Sequence, residues 1–245
     1  MRIIRRGRCL VAIMLVLGAP PECGRAHART SAQAEPSGVD EAAIPPLCDA
    51  ALRGDLRKVR VLLRKRNPID VRFEGETPLM KSLAPYIGMP RSTMAPPSAK
   101  ERRVWEQRVA DKIEIARLLL KAGADVRLTS KDGSTPLHFA ALAHAPDDLL
   151  VPIVRDLIKR GALIDAQTSE GATPLQFAVW KKRAKIAKAL VIAGANLDLR
   201  DGRGKSAADE LVADGRQDEL DELRRLSAER GTQASPESSL SPSRN

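Results

Sequence analysis

Aromatic side chains are scarce in this chain. Only six of its 245 residues are Phe, Trp or Tyr, although 43% of the residues are hydrophobic. The strands of β-sandwiches and barrels favour aromatic and β-branched residues, so this composition argues against such folds. A core built from Leu, Ile, Val and Ala suits closely packed helices, and the hydrophobic content is sufficient for a substantial core.

Long hydrophobic runs are also missing. The chain has a short hydrophobic run near the amino terminus. Residues Cys9–Ala19 form eleven small or apolar residues that follow four arginines, which is a secretory signal pattern. As a helix this run would span roughly 16 Å, about half the hydrocarbon thickness of a bilayer, so we expect no stable membrane span. Residues 1–34 are therefore predicted to be a signal peptide, cleaved after Ala34 or, alternatively, after Ala28. The signal shape and the Arg- and Ala-rich composition suggest a bacterial protein exported to the periplasm, with secretion as the alternative.

Much of the excess positive charge belongs to this signal. The full chain has a formal net charge of +10, whereas removal of residues 1–34 leaves 35 basic and 30 acidic residues, or +5. Nucleic-acid binders cluster Lys and Arg with stacking aromatics, a pattern not found here, so no nucleic-acid partner is expected. Of three cysteines only Cys48 stays in the mature chain, which excludes an internal disulfide there.

Groups that could support catalysis are few. The mature chain has two histidines, His138 and His144, and neither is accompanied in sequence by a nucleophile or a fixed set of ligands. His144 lies near Asp147 and Asp148, which could contact a metal, but a solvated loop is the favoured interpretation. Cys48 has no obvious base near it. We predict a protein that is not an enzyme and that needs no metal or cofactor.

The chain does contain an internal repeat. The segment TPLHFAA at Thr135 recurs as TPLQFAV at Thr173, as TPLMKSL at Thr77 and, more weakly, as SAADEL at Ser206. The intervals of 58, 38 and 33 residues are explained by one 33-residue unit with insertions of 25 and 5 residues. An earlier unit begins at Pro46 as PLCDAAL. Such a period is typical of stacked repeats.

These repeats resemble the ankyrin family. TPLHFA matches the family pattern at each fixed position, and Gly123–Asp125 matches the end of the second helix of a repeat. The resemblance implies an all-α ankyrin-repeat solenoid of about five helix-turn-helix repeats over residues 45–226. The predicted order along the chain is a linker (35–44), five repeats (45–72, 73–130, 131–168, 169–201 and 202–226) and a disordered tail (227–245).

The signature residues have physical roles. Thr135 can cap the first helix of its repeat, and Pro136 fits the first helical position because its missing N–H costs nothing there. Leu137, Ala140 and Ala141 would face neighbouring helices. Three glycines are predicted to end second helices in a left-handed conformation: Gly123, Gly161 and Gly194. In the first repeat, Arg66 and Asn67 stand in place of the Gly-Ala pair.

The second repeat carries a 25-residue insertion at about residues 84–110. Its first half is rich in Pro and Gly, and Ser98 and Glu101 then have the spacing of a capping box. Apolar residues follow at the spacing of one helical face: Trp105, Val109, Ile113, Ala116 and Leu120. We therefore predict that the second helix begins near Ala99, about 12 residues and roughly 18 Å earlier than usual.

Two interpretations of this insertion remain open. It can form a packing flap, in which Trp105 and Val109 contact Tyr86, Ile87 and Met89, or it can hold or cover a partner. The insertion begins at Ala84, a first-helix position, so it can border the same face as the predicted binding residues.

The resemblance also indicates where a protein partner would bind. Ankyrin proteins recognise partners with the turn tips and the outward positions of the first helices, on the concave face. The candidate residues are Phe73, Glu74, Lys131, Asp132, Glu170 and Arg203 at the tips, Arg53, Leu142, Trp180 and Lys181 on first helices, and Trp105 in the insertion. Trp180 is the strongest candidate because Trp and Arg are enriched among residues that dominate binding energy. The alternative is that Trp180 covers a neighbouring repeat.

The sequence therefore predicts non-catalytic protein binding by an exported solenoid. Alternatives within this class are an immunity protein or inhibitor that occludes an envelope-acting toxin or enzyme, a scaffold in envelope stress handling, and a secreted effector that binds a host protein. The recognition positions carry no general code, so the sequence specifies neither the partner nor the oligomeric state.

Overall fold

The protein is described by a computed structural model, which covers residues 44–85 and 98–233. Ten helices lie in these two ranges: α1 (Pro46–Arg53), α2 (Leu56–Arg64), α3 (Pro78–Leu83), α4 (Ala99–Lys121), α5 (Pro136–Leu142), α6 (Asp147–Lys159), α7 (Pro174–Trp180), α8 (Ala184–Ala193), α9 (Ala207–Ala213) and α10 (Gln217–Gln233). The predicted signal peptide (1–34) and linker (35–44) lie outside the described residues, except for Ile44. None of the described helices is long and apolar enough to cross a membrane.

The helices form five stacked pairs. The first helices α1, α3, α5, α7 and α9 pack in sequence against one another, and the second helices α2, α4, α6, α8 and α10 form a parallel layer. One continuous core, made mainly of Leu, Ile, Val and Ala, runs through all five pairs. No unit covers its own apolar faces, so each is stabilised by its neighbours. The predicted all-α solenoid of five repeats is confirmed.

The first helices begin as the repeat pattern predicts. Thr135 is the N-cap of α5, with Pro136 in its first turn. Leu137, Ala140 and Ala141 are at most 1% exposed. The same capping arrangement opens α3, α7 and α9, where a Thr or Ser hydroxyl accepts the backbone N–H three residues later. These local signals fix the phase of each repeat.

The ends of the second helices need left-handed backbone. The three predicted glycines adopt φ values of +95° (Gly123), +86° (Gly161) and +112° (Gly194). In the first repeat Arg66 takes this conformation with φ of +55°, which costs a residue with a Cβ about 1 kcal/mol. The Asn67 side chain donates to the Leu62 carbonyl at 2.8 Å and so satisfies one carbonyl at the end of α2.

The long second helix of repeat two is confirmed. It begins at Ala99, and Ser98 and Glu101 form the predicted capping box, in which the Glu101 carboxylate accepts the Ser98 N–H at 2.8 Å. Trp105 is half-buried and packs against the core, while the four later residues of the predicted face are buried. The proposed flap contacts with Tyr86, Ile87 and Met89 lie outside the described residues.

The extension of α4 lies beside the turns within repeats. The Arg108 carbonyl and the Lys112 side chain stand against Gly54, in the turn between α1 and α2. A first helix starts at a tip and ends at such a turn, so this edge is at the other end of the helices from the tips. Residues 98–110 therefore approach the solenoid at the turn edge, away from the tip residues.

Two boundaries differ from the sequence pattern. The five-residue insertion of the third repeat, around residues 143–152, predicts Pro152 in the first turn of the second helix, where proline is tolerated, but α6 begins at Asp147, so Pro152 lies inside the helix. The tail was expected to be disordered from residue 227, whereas α10 continues to Gln233. Its end packs on the preceding repeat, where the Arg230 guanidinium lies against Gly194. Residues 234–245 lie outside the described part of the chain.

Candidate protein-binding site

One face of the solenoid combines the turn tips with the outward positions of the first helices, and we refer to it as the recognition face. The fourth residue after the cap of each first helix borders this face, although Lys81 and Phe139 are buried. These residues change chemistry from repeat to repeat: Asp49, Lys81, Phe139, Phe177 and Glu210. The seventh residue after the cap is Trp180 in the fourth repeat.

Trp180 lies in a stack of side chains that crosses two repeats. Its ring meets the Phe177 ring edge-on at 5.2 Å between centroids. The Arg203 guanidinium carbon, from the tip of the fifth repeat, lies 5.0 Å from the Trp180 centroid. Such a cation–π contact contributes about 0.5–1 kcal/mol at an exposed site. Trp180 is half-buried as a result and contacts the neighbouring repeat through Arg203.

Two carboxylates hold Arg203 in place. Its Nη2 donates to Asp201 at 2.8 Å and to Glu210 at 3.0 Å, and its Nε donates to Asp201 at 2.9 Å. The Asp201 side chain is only 2% exposed. Burial alone would raise the pKa of the Asp201 carboxyl, but hydrogen bonds from the Lys205 N–H and from Arg203 lower it below its ordinary value. Arg203 is therefore fixed over Trp180 before any partner arrives.

The stack forms one wall of a shallow depression with a volume of about 520 Å³. Seven residues line it: Glu170, Ala172, Trp180, Asp201, Gly202, Arg203 and Glu210. Three of them, Glu170, Trp180 and Arg203, are residues that the sequence predicted, and the structure brings these three together.

Comparison with protein families assigns residues 108–201 to ankyrin repeats, in three copies. The chain contains ankyrin repeats. None of the curated proteins compared with it matches. Ankyrin repeats act as protein–protein interaction modules and are generally non-catalytic.

The tip of the second ankyrin repeat has its own paired charges. Glu74 is exposed, and its carboxylate lies 3.3 Å from the Lys81 ammonium. Lys81 also pairs with Glu76 at 2.9 Å, and its ammonium stands 5.5 Å from the centre of the Phe73 ring. Phe73 and Glu74 thus lie at a turn tip of the recognition face, in a cluster separate from the Trp180 stack.

At the tip of the third repeat, polar side chains hydrogen-bond to one another. The Asp132 carboxylate accepts hydrogen bonds from the Ser130 and Ser134 hydroxyls, which leaves it less available to a partner than predicted. The Lys131 side chain is exposed at its end, and its aliphatic part packs on Gly75 of the preceding tip.

The other predicted residues lie apart from the stack. Leu142 is half-buried at the end of α5. Arg53 is exposed and pairs with Asp49 at the start of the solenoid. Lys181 is exposed at the turn edge, where its positive charge lowers the pKa of His144. Trp105 belongs to the α4 extension at that same edge.

His138 has a structural role. Its imidazole is fully buried, Nδ1 accepts the Thr135 N–H at 3.1 Å, and Nε2 donates to the Ala172 carbonyl at 3.1 Å. Burial lowers the pKa of His138 to about 4, so the ring is neutral near pH 7. It joins the cap of one repeat to the tip of the next.

The carboxylates near His144 are engaged elsewhere. Asp147 pairs with Arg183 and Asp148 with Lys185, each at 2.7 Å. Burial and nearby cations, Lys181 first among them, lower the pKa of His144. Within the described ranges, no three His, Cys, Asp or Glu side chains are grouped to hold a metal ion.

The sequence prediction missed Phe177, Asp201 and Glu210. Phe177 and Glu210 share one position, four residues after the cap, and a comparison of this position across repeats could have found them. Asp201 gives no such signal, because its role depends on how the fifth tip folds around its carboxylate.

Proposed function

We propose that the recognition face binds a protein partner and that the stack of Phe177, Trp180 and Arg203 is the centre of the contact. The observation that carries this proposal is the Arg203 guanidinium, held by Asp201 and Glu210 over the face of a half-exposed Trp. Trp and Arg are the side chains most often responsible for binding energy at interfaces. Neither group is needed to complete the repeat pattern.

Preorganisation supports the same proposal. Adjacent tips hydrogen-bond through their backbones: the Ser169 N–H donates to the Asp132 carbonyl at 2.8 Å, and the Gly202 N–H donates to the Glu170 carbonyl at 2.7 Å. A partner that docks on such tips does not have to order them, which removes part of the entropic cost of binding.

We also propose the setting in which this binding occurs. The amino-terminal signal pattern supports export, with the periplasm as the favoured location and secretion as the alternative. A single preorganised patch favours one dedicated partner, as expected of an immunity protein or inhibitor that occludes an envelope-acting toxin or enzyme. A scaffold that binds several proteins weakly and a secreted effector that binds a host protein are the other roles.

The test is capture of a partner from envelope extract of the native organism. The bait is the chain from Glu35 onward, compared with a Trp180→Ala, Arg203→Ala variant. A matched control changes an exposed aliphatic residue and an exposed arginine on second helices, Ile192→Ala and Arg155→Ala. Circular dichroism checks that all three chains keep their helices.

We expect one abundant protein that binds the unchanged chain and the control but not the Trp180 variant. A partner retained by the Trp180 variant and lost from the control would place the interface on the second helices and refute the proposal. Several weakly held proteins, equally depleted by the Trp180 variant, would favour the scaffold role.

A further inference from the structure

We infer that the depression beside Trp180 accepts a basic side chain, Lys or Arg, from the protein partner. This inference rests on the proposed function and adds the chemistry of the group that is recognised. It follows from the balance of charge in the depression, from the rigidity of its walls and from the apolar surface of Trp180.

The charged groups in the depression are mostly acidic. Three carboxylates line it, those of Glu170, Asp201 and Glu210, against the single guanidinium of Arg203. Arg203 bonds to Asp201 and Glu210. Glu170 forms no ion pair with any residue that the structure describes. The depression therefore holds an excess of two negative charges, which one cationic side chain would reduce.

The acidic wall is rigid. Glu170 lies on a tip whose carbonyl accepts the Gly202 N–H at 2.7 Å. Gly171 has φ of +75°, and a Cβ there would stand 2.9 Å from the Gly202 nitrogen, so the two tips are in close backbone contact. A carboxylate carried on a backbone that is already ordered attracts a cation without the cost of ordering a loop. The position of Glu170 is thus set by the repeat stack itself.

Trp180 complements the carboxylates. Lys and Arg carry long aliphatic stems that pack on apolar surface while their charged ends reach polar groups. The Trp180 ring offers such a surface in the same depression as Glu170 and Glu210. An acidic side chain fits less well, because Nε and Nη2 of Arg203 already donate hydrogen bonds to Asp201 and Glu210.

The overall charge of the chain makes this inference testable. The chain has a formal net charge of +10, or +5 from residue 35 onward, so general electrostatics oppose the approach of a basic ligand. Binding of a basic peptide therefore requires a local acidic site, and salt should weaken it because the groups are solvent-exposed.

The experiment uses the full chain with Trp105→Phe, which leaves Trp180 as the only tryptophan. Its fluorescence is followed at low salt during titration with capped hexa-arginine, hexa-lysine or hexa-glutamate. The test variant adds Glu170→Gln and Glu210→Gln. A control with the same change in charge adds Asp198→Asn and Asp218→Asn, two exposed residues that do not line the depression.

We expect a saturable change in Trp180 emission with the basic peptides, and an affinity roughly tenfold lower in the test variant, as the loss of two exposed charge pairs implies. The control should bind as the parent does. Equal or tighter binding of hexa-glutamate, no saturable response to either basic peptide, or equal loss in both variants would overturn the inference.

The two proposals can fail separately. A captured partner that depends on Trp180 and Arg203, together with no response to basic peptides, would leave the proposed function standing and remove the cationic specificity. Capture that does not depend on Trp180 would remove both.

Discussion

Replacement of His138 by glutamine should make the solenoid more resistant to acid. The buried imidazole accepts a backbone N–H at Nδ1 and donates from Nε2, so it must stay neutral to keep both bonds. Burial lowers its pKa from 6.5 to about 4. In the unfolded chain the same ring returns to its ordinary pKa of about 6.5.

The sign of the effect follows from the proton uptake of each state. Above pH 6.5 the ring is neutral in both the folded and the unfolded chain, and His138 adds no pH dependence. As the pH falls from 6.5 to 4, the unfolded chain binds the proton and the folded chain does not, so the free energy of unfolding decreases. Each pH unit in this window corresponds to about 1.36 kcal/mol, which gives a total loss of roughly 3 kcal/mol.

The protein contains its own model for the substitution. Gln176 occupies the same position in the next repeat, where its Oε1 accepts the Thr173 N–H at 2.7 Å and its Nε2 donates to the Lys205 carbonyl at 2.7 Å. A glutamine at residue 138 can make the corresponding bonds with Thr135 and Ala172 and does not titrate. We expect the free energy of unfolding of the His138→Gln variant at pH 7 to lie within about 1 kcal/mol of that of the unchanged chain.

Urea unfolding followed by circular dichroism at pH 7, 5.5 and 4 measures the difference. The stability advantage of His138→Gln should grow to about 3 kcal/mol at pH 4. The exposed His144 and the carboxylates titrate in both chains and cancel in the comparison, and a His144→Asn variant checks this. Parallel loss of stability in the two chains would refute the assignment of acid sensitivity to His138.

Three other predictions follow from backbone conformation and burial. Arg66→Gly and Lys182→Gly should each raise the free energy of unfolding by roughly 0.5–1 kcal/mol in urea, because both residues hold φ of +55°; no gain at either position would contradict the strain argument. Gly171→Ala should lower the free energy of unfolding by at least about 1 kcal/mol, since φ of Gly171 is +75° and the added Cβ would meet the Gly202 nitrogen at 2.9 Å. The Cys48 thiol, whose pKa burial raises to about 11, should resist a thiol reagent at pH 8 until the chain unfolds; rapid reaction in the folded chain would show that it is accessible.

The features that the sequence predicted are those with local causes. The caps at Thr135 and Ser98, the start of α4 and the left-handed glycines each depend on residues within one or two helical turns. A repeat in the sequence then extends every such local rule over the whole stack. Both the fold and the phase of the repeats could therefore be predicted.

The features that sequence reasoning missed depend on distant contacts. Arg203 of the fifth repeat contacts Trp180 of the fourth. The sequence does not say whether the Arg203 guanidinium stacks on the ring or points to solvent. The tail after Leu226 is polar, so a prediction from composition ends the helix there. It continues because its end packs on Gly194 of the preceding repeat, a contact that only the stacked structure reveals.

The position four residues after each cap explains why the proposed site lies near the carboxy-terminal end of the stack. At the other end, Asp49 and Lys81 occupy this position, and both already form ion pairs. Asp49 pairs with Arg53 and Lys58, and Lys81 pairs with Glu74 and Glu76. In the third repeat the position carries Phe139, which is buried in the core, whereas in the fourth it carries Phe177, which is half-buried and adds apolar surface beside Trp180. At Glu210 the charge returns, but its partner Arg203 also lies on Trp180. The fourth and fifth repeats are thus where apolar surface and oriented charge meet, and a partner that needs both has its best contact there.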